Sequence, residues 1–63
     1  MDGWNKYLNK KVYVVLINDR KYSGKVINID NTNHPLVWIS LTDREGRLVT
    51  FLTSEIKLIQ EEE

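Results

Sequence analysis

The segment Asp30-Asn31-Thr32-Asn33-His34-Pro35 holds the chain's densest group of side chains able to read a ligand through hydrogen bonds. Asparagine amides both donate and accept. Asn31 and Asn33 can therefore pair with the edge of a nucleobase, and the ring of His34 can stack on one. The Asp30 carboxylate can orient a neighbouring amide. The same residues also suit a plain turn, in which Asp30 and Asn31 bond to nearby backbone and Pro35 stiffens the exit. Both roles are open at this level. Aromatic platforms are the other requirement for base binding. Phe51 fits a core position. Trp38 shares a strand face with Leu36, opposite Val37, Ile39 and Leu41, so it lies either under an N-terminal helix or at an exposed interface.

Other chemistries lack their residues. With no cysteine there are no disulfides and no thiolate zinc site, and with His34 as the one histidine there is no histidine-rich metal site. No serine and histidine form a nucleophile motif, no glycine loop opens a helix as a phosphate cradle, and the acids are scattered over turns. The chain is expected to be no enzyme and to use no cofactor or metal.

Charge narrows the partners. The formal net charge is +0, but Glu61, Glu62 and Glu63 form an acidic tail. Without it, six acids face nine bases, about +3 for residues 1–60. The bases gather early, at Lys6, Lys10, Lys11, Arg20, Lys21 and Lys25. They form either an ordinary solvated surface or a shallow positive face. One protomer of this charge would bind nucleic acid weakly, because phosphate neutralisation dominates affinity; a ring of copies would multiply the field. The N-terminal residues have no apolar signal-peptide region, and the longest apolar run, Val12 to Ile17, is far too short to span a bilayer. A cytoplasmic protein without a membrane partner is the expectation, and the absence of cysteine agrees with a reducing compartment.

The elements that would position these residues follow from spacing. Asp2 is a candidate N-cap. Trp4, Tyr7 and Leu8 have the i, i+3, i+4 spacing of a short amphipathic α-helix over about residues 2–9, and Gly3 weakens its first turn. Lys11 to Ile17 reads as a strand apolar on both faces. Asn18-Asp19 suits a two-residue turn, since both types tolerate a left-handed backbone. Arg20 to Ile29 is a long second strand. Gly24 within it marks a bend, a bulge or a close backbone approach, and the three-residue step from Val26 to Ile29 breaks strict alternation. Leu36–Thr42, Arg47–Leu52 and Ile56–Ile59 give three more strands, with Asp43-Arg44-Glu45-Gly46 as a hairpin turn, Thr53-Ser54-Glu55 as a short corner and a frayed tail after Ile59. A short α-helix and five tightly connected strands make a mainly β protein, a small, strongly bent antiparallel barrel. The barrel should span about residues 11–59 of one domain over 1–60, with 61–63 as the tail. A 63-residue chain buries only about 60% of its unfolded surface, so a further source of stability is expected. Oligomerisation is the one its composition leaves open.

The order of Leu16, Asn18, Arg20, Tyr22, Gly24, Val26, Ile29 and Asp30 resembles the first signature motif of the Sm-like (LSm and Hfq-like) proteins, and the similarity of layout extends over roughly residues 3–60. The resemblance implies a bent barrel whose fourth strand pairs with a neighbour's fifth, closing a homo-oligomeric ring of roughly five to seven subunits. It also implies single-stranded RNA bound by pore-lining loops, with Asp30, Asn31, Asn33, His34 and Thr53 as the RNA-binding set. The sequence departs from the family in two places. The family's loop places an asparagine four positions after the aspartate, where this chain has His34, with Asn33 one earlier. The family's second motif has Arg-Gly where this chain has Leu52 and Thr53. Those departures favour the alternative, an Sm-fold scaffold for protein–protein interaction that has lost the standard RNA pocket.

Overall fold

Strand β1 (Lys11–Leu16) shows how the apolar pattern is used. Val12, Val14 and Leu16 are buried, while Tyr13 and Val15 on the opposite face are only half-buried. The two-sided pattern thus gives one core face and one partly covered face. The computed structural model describes residues 3–33 and 35–62. After β1 come β2 (Lys21–Asp30), β3 (Trp38–Asp43), β4 (Leu48–Leu52) and β5 (Ile56–Glu61). All five join one antiparallel sheet in the order β4-β3-β2-β1-β5. The core is the inner face of that sheet. Val12, Val14, Val26, Ile39 and Leu41 are sealed there with Leu16 and Phe51, and Trp4, Tyr7, Tyr22, Ile29, Val49, Ile56 and Ile59 pack around them.

The bend of β2 comes from two devices. Gly24 lies opposite Val12 on one side and Asp43 on the other. A Cβ at Gly24 would run into the Thr42 carbonyl oxygen and come within 2.9 Å of the Asp43 Cα. Only glycine lets the strands approach this closely. Two residues on, the β2–β3 register shifts between Val26 and Asn28. That bulge turns Ile27 out to solvent, and it is why Val26 and Ile29 can both face the core three positions apart.

Several expectations are corrected. There is no α-helix among the described residues; Asn5–Tyr7 is a single 3-10 turn. A spacing of three serves a 3-10 turn as well as an α-helix, since residues i and i+3 eclipse there. Gly3, Asn5 and Asn9 supply little helix propensity, and Asn9 ends the segment at φ 65°. Trp4 and Tyr7 still pack on the core, but Leu8 is exposed. Asp2, the candidate cap, lies outside the described residues. The sheet is also not closed into a barrel. The 3-10 corner Thr53–Glu55 carries the chain away from β4 and across to β1, where Ile56 pairs with Leu16 and the Ile17 N–H donates to the Glu55 carbonyl (2.8 Å). β4 and β5 therefore become the two outer strands.

The first hairpin is not a two-residue turn. Only Asp19 has positive φ (67°), and the ladder closes with Leu16 N–H donating to Arg20 O. Ile17–Asp19 is thus a three-residue loop with its last residue left-handed. The second hairpin repeats this design, with Asp43 N–H donating to Arg47 O and Gly46 at φ 82°. β3 begins at Trp38 rather than Leu36, because the Leu36 N–H is turned back to the Asn33 carbonyl. The tail continues β5 instead of fraying at Ile59. Gln60 and Glu61 pair with Tyr13 and Val12, and Ser23 Oγ donates to the Glu62 carboxylate (2.6 Å).

Candidate functional site

Register gathers the candidate residues at one end of the sheet. Asp30 ends β2 and lies opposite Trp38, the first residue of β3, which on its other side lies opposite Leu52, the last residue of β4. Facing residues share a sheet face, so Asp30, Trp38 and Leu52 form a row across three strands, about 4.8 Å apart per step. Thr53 follows Leu52 and donates its N–H to the Val37 carbonyl (2.9 Å), which ties the β4–β5 corner to the β2–β3 loop. Asp30, Asn31, Asn33 and Thr53 therefore share one end of the molecule. His34 lies outside the described residues.

The Asp30 carboxylate accepts from the Thr32 N–H (3.0 Å) and from the Thr32 hydroxyl, which hold it below the usual carboxylate value of 3.8. Asp30 thus makes turn hydrogen bonds through Oδ1, and the amide that it orients belongs to the backbone of Thr32. Asn33 is exposed, and its carbonyl accepts the Leu36 N–H. Asn31 is exposed as well.

Trp38 is 37% exposed, on the sheet face opposite the core, with exposed Leu36 two residues before it. Phe51 is core, stacked on Tyr22 at 6.3 Å between ring centroids. The aromatic platform beside the loop is thus Trp38. Its period-two alternation with buried Ile39 and Leu41 was the sequence signal for this outward position.

A concavity lies elsewhere, an open groove of about 440 Å³ at the other end of the sheet. Lys11, Lys25 and Thr42 form a row on β1, β2 and β3, and Asn9 and Arg44 flank it. The early cluster of bases in the sequence contains Lys11 and Lys25. Arg44 joins them only through the β2–β3 register, which no local spacing encodes. Among the described residues no group of three or more histidine, cysteine or acidic side chains could hold a metal ion. Among the same described residues no helix is long and apolar enough to cross a membrane. No known protein family, curated protein or solved structure matches this chain.

Proposed function

We propose that this protein is an Sm-like module that joins β4 of one copy to β5 of the next, closes into a ring, and presents its loops to single-stranded RNA. The observation that carries this reading is the strand order β4-β3-β2-β1-β5. It leaves two different free edges on one sheet. Pairing unlike edges is heterologous, so it continues from copy to copy until the rotation closes. Both edges are short and carry exposed leucines, Leu48 (63%) on β4 and Leu58 (43%) on β5, with little charge to discourage pairing. Each subunit in such a ring would contribute Trp38 as a stacking platform and the Asn31 and Asn33 amides as base readers. Stacking on an aromatic ring is worth about 1–3 kcal/mol per base.

A second reading, a protein-binding scaffold, is favoured by the Asp30–Thr32 bonds, which engage Asp30 Oδ1 within its own loop, and by the apolar Leu36–Trp38 surface next to them. Native mass spectrometry with and without oligouridine or oligoadenine separates the two. A discrete multiple of 7.5 kDa that gains mass with an oligonucleotide is the expected result. A ring that binds neither homopolymer leaves the scaffold. A monomer at micromolar concentration removes both the ring and any pore. Ile59→Pro, which takes one donor from the side of β5 that faces away from β1, should give monomers or aggregates where the wild type assembles.

A further inference from the structure

Lys11 and Lys25 lie directly opposite each other on adjacent strands. Like charges in that position destabilise a sheet. No described acid forms an ion pair with either lysine or with Arg44; the two described ion pairs are Arg47–Glu45 and Lys57–Asp19. Asp43 is the one acid lining the same groove, and its Oδ1 already accepts the Glu45 and Arg47 N–H groups (2.9 Å each). Glu62 lies beside Lys11, to whose carbonyl its N–H donates (2.7 Å), and its carboxylate accepts from Ser23 Oγ.

We propose that this groove is a phosphate-binding site. Lys11 and Lys25 supply two point charges and Arg44 a planar fork of donors suited to phosphate oxygens. The Thr42 hydroxyl and the Asn9 amide add neutral donors from the remaining walls. A bound phosphate also relieves the repulsion between the facing lysines. Lys25 in the groove is about 17 Å along β2 from Asp30, at ~3.3 Å per residue. The groove's assignment therefore stands whether or not the loop there binds bases.

The test follows backbone amide resonances of the full chain during two titrations, one with inorganic pyrophosphate and one with a hexameric abasic phosphodiester. The expected result is saturable shifts centred on Lys11, Gly24, Lys25, Thr42 and Arg44. In K11Q/K25Q the affinity should fall about tenfold or more, while K57Q, which removes one positive charge elsewhere, changes it little. Because K11Q/K25Q also removes the cross-strand repulsion, it should melt no lower than wild type, which separates lost binding from lost folding. Tighter binding of the abasic oligomer identifies a nucleic-acid backbone as the source of the phosphate; tighter binding of pyrophosphate identifies a small phosphorylated ligand. Shifts absent from the groove in both titrations, or spread equally over Lys6, Lys21 and Lys57, overturn the proposal.

Discussion

Around Gly24 and Val26, β2 is held from several sides, whereas at Asp30 the same strand leaves the sheet into a loop bonded partly to itself. At the first place Gly24 is wedged between Val12 and Asp43. Val26 is fully buried opposite Leu41, its N–H donates to the Lys10 carbonyl, and its carbonyl accepts the Asn9 N–H. At the second place the carboxylate of Asp30 bonds to Thr32, two residues on, and Leu36 bonds back to Asn33. The difference teaches where each kind of change will register. Substitutions of the buried Gly24 and Val26 should change whether the chain folds. Substitutions near Asp30 should change what the folded chain binds.

The strongest way to break this contrast is Gly24→Val. Its Cβ has no room against the Thr42 carbonyl and the Asp43 backbone, and a strand backbone cannot give way as a flexible side chain can. The loss should reach or pass the upper end of the ~1–3 kcal/mol usual for overpacking. Lys25→Val, one residue along and exposed, should stay within about 0.5 kcal/mol. Ser23 is a poorer control, since it is half-buried and bonded to Glu62. Matching denaturation midpoints for Gly24→Val and Lys25→Val would show that the close approach does not exist.

Val26→Ala is the next largest. It removes fully buried carbon from the point where β1, β3 and the N-terminal segment meet, and should cost about 2 kcal/mol by transfer plus cavity. The corresponding change at the other end, Asn33→Ala, should leave the melting temperature within a degree or two, as for an exposed loop residue, while weakening any base binding. A large stability loss in Asn33→Ala would mean that the loop is part of the fold rather than a surface carried by it.

These contrasts also mark what could be read from sequence. Gly24 and the three-residue step to Ile29 announced an interruption of the regular strand, because glycine and broken alternation are local signals; the register then showed a close approach at the first and a bulge at the second. Alternation placed Trp38 on the face opposite Ile39 and Leu41 but left open what covers that face. The open sheet was not readable, because closure depends on where the Thr53–Glu55 corner sends β5, and three residues of ordinary turn composition do not encode that direction. Nor was the length of β5, whose Gln60 and Glu61 look like a solvated tail until their pairing with β1 is known. The site was legible as composition, in the Asp30–Asn33 loop. The hydroxyl and N–H of Thr32 that take the Asp30 carboxylate were hidden within the same six residues, since a polar side chain can bond to its own loop or to a ligand at equal spacing.

Asn9 sharpens the comparison from the N-terminal side. It holds φ 65° at the junction where Asn9 and Lys10 bond to Val26. Asparagine tolerates this conformation, while alanine loses the local polar compensation and glycine has no Cβ to strain. Asn9→Ala should cost about 1 kcal/mol and Asn9→Gly less, read as a difference in urea midpoint at equal m-value. The same order in a variant already carrying Gly24→Val would show that the two positions act separately; strong non-additivity would show that they hold one shared junction.

The smallest effect belongs to Asp30 and tests the other end by itself. Its carboxyl titrates below 3.8 because the Thr32 hydroxyl and then the Thr32 N–H bond to the charged form. A carboxylate depressed in this way stabilises the folded loop above its unfolded pKa, and that contribution is lost as pH falls through the lower, folded value. The window is therefore acidic and narrow, below 3.8, and the loop should keep the bonds at neutral pH. Thr32→Ala removes the hydroxyl donor and leaves the N–H, so the Asp30 midpoint should rise toward 3.8 without reaching it. Global stability at pH 7 should hardly move, because the group is exposed and its bonds are local. Carboxyl and amide chemical shifts followed from pH 6 to pH 2 measure both. An unchanged Asp30 midpoint in Thr32→Ala would mean that the hydroxyl does not hold the carboxylate, and would return Asp30 to the residues available for a ligand.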